Sequence, residues 1–205
     1  MILFNGDSHT FAEGVKNRFS DILSDEFKIK SVNISKVGAS NTRIIRTTKN
    51  YITESIPKLV VIGWSTWERE EWEYNGNYYE VNSSGHDVLP DVLAEKYKAW
   101  VIAQTPESLT FKSQQCHKEI YQFHLELKQK NINHLFFNCM YNFFQPQNIY
   151  DWDDQYLEPY NNDASYYWYL KNQGLKTDNW YHYNSDGHAV WAQILIDHIK
   201  KHKLL

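Results

Sequence analysis

The stretch Leu59-Val60-Val61-Ile62-Gly63-Trp64 is the clearest buried strand in the chain and decides the class of fold. A continuous apolar run rich in β-branched residues predicts a strand that is covered on both faces. Strands of this kind belong to parallel sheets, whose strands are joined by helices. We therefore predict a strand over residues 58–64 within an α/β fold.

Strands and helices alternate on both sides of this run. Short apolar or alternating stretches predict three further strands, and apolar residues at helical spacing predict six helices. The strands cover residues 2–5, 27–34 and 134–139, and the helices cover residues 10–23, 41–52, 90–104, 106–130, 164–172 and 185–203. This alternation predicts a mostly parallel sheet.

Composition and length limit the possible classes of protein. A chain of 205 residues fits one domain, residues 1–205, and its net charge of −4 without a basic cluster argues against nucleic acid as a partner. Two distant cysteines, Cys116 and Cys139, predict neither a disulfide framework nor a metal site. No nucleotide-binding glycine motif is present, so we expect no cofactor. Aromatic residues make up 16% of the chain and concentrate in an irregular insertion around residues 140–183.

The start of the chain lacks the basic n-region of a secretory signal, and no apolar run approaches the ~20 residues of a membrane span. These two observations predict a cytoplasmic protein with no membrane span.

The turns after the predicted strands carry the residues that could perform chemistry, because ligands bind beyond the carboxyl ends of parallel strands. These turns, with the segment that precedes the last helix, are Gly6-Asp7-Ser8-His9-Thr10, Val37-Gly38-Ala39-Ser40-Asn41, Gly63-Trp64-Ser65-Thr66 and Asp178-Asn179-Trp180-Tyr181-His182-Tyr183-Asn184. All four segments can converge on one edge of the sheet.

Over nearly its whole length the chain resembles the SGNH or GDSL serine hydrolases. Gly6-Asp7-Ser8 matches the first family motif, and His182 matches the histidine near the C-terminus. The resemblance implies a three-layer α/β/α sandwich with a flavodoxin-like sheet, Ser8 as nucleophile and His182 as general base. It also implies an oxyanion hole formed by the backbone N–H groups of Ser8 and Gly38. Segments 38–44 and 62–65, together with Arg69-Glu70, further resemble a subgroup among phage and bacterial proteins, which is compatible with a virus-encoded origin.

Two motifs depart from the family pattern. Ser65 stands where the family places an asparagine, so either Ser65 or Asn41 would supply the third oxyanion donor, or the site works with two. The last motif is normally Asp-x-x-His, but Asn179 stands three residues before His182 and Asp178 stands four before it. Either residue could orient the imidazole, Asp178 through its charge or Asn179 as a neutral partner.

Several of these residues also have simpler interpretations. Thr10 and Glu13 fit an ordinary capping box, and Asp7 fits a favourable carboxylate at a helix N-terminus. His188 lies at the start of the last helix and is interpreted as structural or exposed, whereas His9 and His86 are interpreted as solvated. Arg69 and Glu70 are interpreted mainly as a pair at the surface or rim, with a contact between Arg69 and the substrate as the alternative. The aromatic residues of the insertion can fill the core or line a cleft for sugar rings or an acyl chain.

The resulting hypothesis is a carboxylic ester hydrolase acting through a Ser8 acyl-enzyme on a small-molecule or saccharide ester, including acetylated saccharides. An alternative is a non-catalytic module that binds glycans or another ligand with a degenerate SGNH site, which both departures and the aromatic loops would fit. A third hypothesis is an acyltransferase that uses the same residues.

Overall fold

The computed structural model describes residues 1–83 and 85–205. Within them the chain forms seven strands, seven α-helices and one 3₁₀ turn. The strands are β1 Ile2–Gly6, β2 Ser31–Asn33, β3 Leu59–Trp64, β4 Glu70–Tyr74, β5 Asn77–Asn82, β6 Gly85–His86 and β7 His134–Asn138. The helices are α1 Ser8–Phe11, α2 Phe19–Phe27, α3 Asn41–Glu54, α4 Asp91–Ile102, α5 Pro106–Gln129, α6 Tyr166–Asn172 and α7 Ser185–His202, and the 3₁₀ turn is Asn162–Ala164.

The main sheet has the strand order β2-β1-β3-β7, and all its strands are parallel. This is the flavodoxin-like order, and it confirms the predicted α/β sandwich. Strands β1, β3 and β7 are buried along their full length, as expected for a sheet with helices on both faces. Gly6 lies opposite Gly63 in the ladder, so the chain leaves β1 and β3 at the same edge.

Two hydrophobic clusters lie on the two faces of this sheet. Alternate residues of the strands, such as Phe4 and Phe137, pack with α2, α6 and α7 on one face. The intervening residues, such as Leu3 and Ile62, pack with α3 and α5 on the other face. Because successive strand side chains point to opposite faces, continuous apolar strands supply both layers.

A second, antiparallel sheet of order β4-β5-β6 follows β3, where the sequence analysis predicted no strand. Its first hairpin turns at Asn75-Gly76, with φ values of 51° and 78°. Asn-Gly is the preferred sequence for a two-residue hairpin turn because both positions need a positive φ. Helix α4 covers this sheet through a separate apolar cluster that includes Trp72, Val81 and Leu93.

The predicted helix over residues 10–23 is wrong. Helix α1 ends after one turn at Ala12, which has a left-handed φ of 52°, and Gly14 and Asn17 also have positive φ values. Helix α2 then starts at Phe19, so Phe11 and Phe19 belong to different helices. The predicted capping box of Thr10 and Glu13 is therefore also wrong, and Asp7 caps α1 instead. The strand predicted over residues 27–34 is present but short, since α2 extends through Phe27.

The aromatic segment around residues 140–183 contains the 3₁₀ turn and α6, and it has two isolated bridges, one to the main sheet and one within the segment. Tyr156 pairs with Phe136 of β7, and Thr177 pairs with Tyr183 just before α7. The second bridge brings the end of this segment back to the start of the last helix.

Candidate active site

Ser8 is the first residue of α1, directly after the carboxyl end of β1. The carboxylate of Asp7 accepts a hydrogen bond from the backbone N–H of His9 at 3.0 Å and so caps this short helix. Gly6 makes the turn possible, because a Cβ there would lie 2.3 Å from the hydroxyl of Thr10 and 2.7 Å from the carbonyl oxygen of Gly63. The strand therefore passes into the helix within two residues and presents Ser8 at the sheet edge.

His182 meets Ser8 at this edge, across 174 positions of sequence. Its Nε2 lies 2.9 Å from Oγ of Ser8, which is hydrogen-bonding distance. The histidine stands in a turn closed by the Thr177–Tyr183 bridge and by a hydrogen bond from the backbone N–H of Asp178 to the carbonyl of His182. The imidazole is thus held by local backbone pairing just ahead of α7.

Asp178 lies on the other side of the imidazole. One carboxylate oxygen accepts the backbone N–H groups of His182 and Trp180, both at 2.8 Å, and the other lies 3.7 Å from Nδ1 of His182. These hydrogen bonds, led by the one from the His182 backbone, lower the pKa of Asp178, so the carboxylate remains ionised in mild acid. Asn179 is exposed and makes no hydrogen bond to His182 within the described residues.

His9 packs against His182, contrary to its interpretation as a solvated residue. It is 6% exposed, and its ring lies 5.2 Å from that of His182 and 5.5 Å from that of Tyr166, measured between centroids. Burial lowers the pKa of His9, which favours the neutral ring. One sequence signal could have predicted this position. His9 directly follows Ser8, and the first residues of a helix that starts at a sheet edge lie close to that edge.

Gly38 lies in the loop between β2 and α3, with φ of 76°, a value that favours glycine. The loop is held by Glu80 of the small sheet, whose buried carboxylate accepts the backbone N–H of Ser40 at 2.9 Å. Within the described residues, the backbone N–H groups of Ser8 and Gly38 have no hydrogen-bond acceptor. Both groups are free to bind a negatively charged oxygen.

Asn41 and Ser65 bond to each other. The Asn41 amide donates to the carbonyl of Ser65 at 3.0 Å and to Sγ of Cys116 at 3.2 Å, and it accepts the backbone N–H of Ser65 at 2.9 Å. Both amide hydrogens are therefore used, one on the residue that follows β3 and one on Cys116 of α5. The hydroxyl of Ser65 accepts a hydrogen bond from Arg69 at 2.9 Å.

The predicted pair of Arg69 and Glu70 at the surface or rim is wrong. Arg69 turns inward, where one guanidinium nitrogen lies 3.2 Å from the Asp7 carboxylate as well as 2.9 Å from Ser65. Glu70 turns away and accepts hydrogen bonds from Trp72 and Trp100. The alternation of side chains at the start of β4 explains why neighbouring residues have different partners.

His188 is buried and structural, as one of its two interpretations held. Its Nδ1 accepts the backbone N–H of Phe19 at 3.3 Å, its ring stacks on Phe19, and its Nε2 lies 3.3 Å from the Tyr166 hydroxyl. Burial lowers the pKa of His188 to about 4. This histidine joins α7 to α2 and α6.

A cleft of about 630 Å³ opens beside Ser8 and His182. Of the aromatic residues in the late segment, Tyr166, Trp180 and Tyr183 line it, and Trp180 is 78% exposed. Other members, including Trp152 and Tyr156, pack in the core on the α3 and α5 face. The aromatic segment therefore serves both the core and the cleft wall.

Residues 1–83 and 85–205, which the structure describes, lack two features. They contain no group of three His, Cys, Asp or Glu side chains placed to hold a metal ion. None of their helices has the length and hydropathy needed to cross a bilayer.

Solved structures that are similar to this chain share its architecture from end to end. TesA is 15% identical with a TM-score of 0.56, and the match covers 100% of this chain and 99% of TesA. The psychrotrophic esterase EstA from Pseudoalteromonas sp., in a structure inhibited by monoethylphosphonate, is 13% identical with a TM-score of 0.54, and the match covers 98% of this chain and 96% of EstA. The chain has the SGNH hydrolase fold.

A third structure with the SGNH fold, the acetyl xylan esterase AlAXEase, is 16% identical with a TM-score of 0.51, and the match covers 96% of this chain and 98% of that one. No family model matches the sequence, and the search of curated proteins finds no match. The predicted resemblance to SGNH hydrolases is thus confirmed as a likeness of fold.

Proposed function

We propose that the chain is a serine esterase with Ser8 as its nucleophile and His182 as its base. The observation that carries this proposal is the distance of 2.9 Å between Oγ of Ser8 and Nε2 of His182. A serine hydroxyl is a weak nucleophile until a base within hydrogen-bonding distance removes its proton. Histidine suits this role because its unperturbed pKa of about 6.5 lies close to neutral pH.

Asp178, rather than Asn179, orients the imidazole in this proposal. The carboxylate lies 3.7 Å from Nδ1 and is fixed by two backbone N–H groups, so it favours the tautomer with the proton on Nδ1. That tautomer leaves Nε2 free to accept the proton of Ser8. The carboxylate also stabilises the imidazolium that forms during the reaction.

The reaction follows from these positions. Oγ of Ser8 bonds to the ester carbonyl carbon while its proton passes to Nε2 and the carbonyl electron pair moves onto oxygen. The free N–H groups of Ser8 and Gly38 receive that oxyanion. Collapse of the intermediate breaks the bond to the alcohol, which leaves with the proton from His182. Water then attacks the acyl-enzyme with His182 as base, releasing the acid and restoring Ser8.

Asn41 is not among the proposed oxyanion donors, because Ser65 and Cys116 take both of its amide hydrogens. The hydroxyl of Ser65 accepts a hydrogen bond from Arg69. The proposed site therefore has two backbone donors, the N–H groups of Ser8 and Gly38.

The proposed substrate is an ester of a saccharide, with acetyl as the acyl group. Glu13, Lys176, Asp178 and Asn184 contribute polar side chains to the cleft, which suits hydroxyl-bearing rings better than a long acyl chain. Trp180 offers an exposed flat face at the rim of the same cleft. The likeness to an acetyl xylan esterase is consistent with this choice.

The test compares the wild type with Ser8→Ala. We expect the wild type to hydrolyse p-nitrophenyl acetate and to be labelled by a fluorophosphonate, and Ser8→Ala to lose both activities. Ser83→Ala, at an exposed serine on the small sheet, is the matched control and should keep both. Equal rates in wild type and Ser8→Ala would exclude Ser8 as nucleophile. A wild type with neither activity would favour the non-catalytic binding module.

A further inference from the structure

Arg69 lies between the turn that carries Asp7 and Ser8 and the end of β3. Its guanidinium nitrogen Nη1 contacts the carboxylate of Asp7 at 3.2 Å and the hydroxyl of Ser65 at 2.9 Å. Asp7 immediately precedes Ser8, and Gly6 pairs with Gly63, so Ser8 and Ser65 each stand two residues beyond the same rung of the sheet. The guanidinium therefore lies at the same edge of the sheet as Ser8 and Ser65.

The remaining N–H groups of Arg69 are available. Both hydrogen bonds of the side chain use Nη1. Within residues 1–83 and 85–205, neither Nε nor Nη2 has a hydrogen-bond partner. The side chain is only 20% exposed, so these donors are held in a partly desolvated position. A guanidinium keeps its charge at all relevant pH values and presents its donors in a rigid planar fork.

The charge of Arg69 also matters because Asp7 is 1% exposed and ionisable. An uncompensated carboxylate beside Ser8 would oppose the negative charge that develops on the substrate oxygen. The ion pair removes this opposition, and the unpaired side of the guanidinium adds positive potential in a region of low dielectric. At position 65 the serine hydroxyl, which is shorter than an asparagine amide, accepts a hydrogen bond from the guanidinium.

We propose that Arg69 is the third oxyanion donor and replaces the amide that the SGNH motif usually supplies. This inference rests on the proposed esterase function. When Oγ of Ser8 bonds to the carbonyl carbon and its proton moves to His182, the carbonyl electron pair moves to oxygen. That oxygen binds the N–H groups of Ser8, Gly38 and the Arg69 guanidinium. Ser65 holds the guanidinium in place by accepting from Nη1.

The first test measures kcat and KM for p-nitrophenyl acetate in Arg69→Ala and Arg69→Lys. Loss of one oxyanion donor lowers kcat by about 10²–10³-fold in other hydrolases, and we expect Arg69→Ala to fall in that range with little change in KM. Arg69→Lys should recover only part of the loss, since an ammonium lacks the fork. Arg18→Ala, a surface arginine paired with Asp21, is the matched control and should keep the wild-type kcat.

Chemical rescue separates a donor from a structural brace. Millimolar methylguanidinium should raise kcat of Arg69→Ala, while methylammonium at the same concentration should not. The double variant Asp7→Asn/Arg69→Ala keeps an oxygen to cap α1 but has no buried charge to neutralise, so it should fold even if the single variant does not. We expect its kcat to remain low and to respond to methylguanidinium.

Two results would overturn the proposal. One is a wild-type kcat in Arg69→Ala. The other is recovery of kcat in the double variant without added guanidinium, which would mean that Arg69 only neutralises Asp7. Either result leaves the esterase function intact, because that function is decided by Ser8→Ala alone.

Discussion

Trp180 is a single side chain whose exposure needs a reason. It is 78% exposed, yet its backbone N–H donates to the carboxylate that faces His182, so its position is fixed relative to the proposed base. An indole held at the rim of the cleft can cover one face of a sugar ring, burying apolar area on binding. Trp180 would then select the alcohol part of the ester without touching the reacting atoms.

We predict that Trp180→Ala raises KM for an acetylated xylo-oligosaccharide by roughly tenfold, equivalent to about 1.4 kcal/mol of binding. Its kcat/KM for p-nitrophenyl acetate should stay near the wild-type value, because that ester has no sugar to stack. The KM of Trp180→Phe for the acetylated xylo-oligosaccharide should lie between those of the wild type and Trp180→Ala. Phe144→Ala, at an exposed aromatic residue outside the cleft, serves as control. An equal loss of kcat/KM on the two esters in Trp180→Ala would argue against a role in substrate selection.

For individual residues, the sequence predicts the site residues that belong to motifs. It does not predict those that strand pairing and turns bring to the site. Ser8 and His182 were found by motif order, and they lie in contact. The interpretations of Arg69 and His9 are wrong. Arg69 is interpreted as the partner of its neighbour Glu70, and His9 is interpreted as an isolated, solvated residue. Their partners are Asp7, Ser65 and His182, which depend on strand pairing and on the turn before α7.

Among the elements, the small sheet β4-β5-β6 braces the loop that carries Gly38. Glu80 of β5 accepts the backbone N–H of Ser40, and Asp87, just after β6, pairs with Lys36 at 3.0 Å. The two contacts hold the loop on either side of Gly38. Burial, partly offset by the hydrogen bond from Ser40, raises the pKa of Glu80.

We predict that Glu80→Ala lowers both stability and kcat. Removing the carboxylate leaves the buried N–H of Ser40 without its acceptor, which costs about 1–3 kcal/mol of unfolding free energy, and it loosens the Gly38 loop. Glu80→Gln keeps an acceptor oxygen and should lose much less of either quantity. Urea unfolding and p-nitrophenyl acetate kinetics measure the two effects. Unchanged kcat in a destabilised Glu80→Ala would show that the brace serves stability alone.

The strands and long helices were largely predictable, whereas the helix over residues 10–23 was not. Phe11, Val15, Phe19 and Ile22 have helical spacing, but Ala12, Gly14 and Asn17 adopt positive φ values and divide the segment. The divided segment lines the cleft through Ala12, Glu13, Gly14 and Val15, so tertiary structure overrides the local pattern there. By contrast, the Asn75-Gly76 turn was a local signal that the sequence did contain.

For the whole molecule, buried histidines connect folding to pH. Burial lowers the pKa of His188 and of His117 to about 4, and that of His134 to about 3, against about 6.5 in an unfolded chain. Between these values the unfolded chain binds more protons than the folded one. The free energy of unfolding should therefore fall as pH drops from about 6.5 toward 4.

We predict that His188→Asn makes this decline shallower, by up to about 1.4 kcal/mol per pH unit. The asparagine oxygen can still accept the backbone N–H of Phe19, but it takes up no proton in this range. The variant should lose some stability at neutral pH, since the ring stacked on Phe19 is gone. Urea unfolding at several pH values measures the slope. An identical slope in wild type and variant would contradict the role of His188 in the pH dependence of stability. His86→Asn, at an exposed histidine, is the control.

The hydrogen bond between Ser8 and His182 also has a consequence for the order of folding. It closes a loop of 174 residues, which makes it one of the longest-range contacts in the chain. Contacts of large sequence separation form only after the loops between them have been organised, because closing them costs chain entropy. A partly folded chain, in which the turn after β1 and the turn before α7 are not yet in contact, contains both residues but lacks the hydrogen bond between them. Recovery of esterase activity during refolding would therefore time the last assembly step, later than the recovery of helical signal.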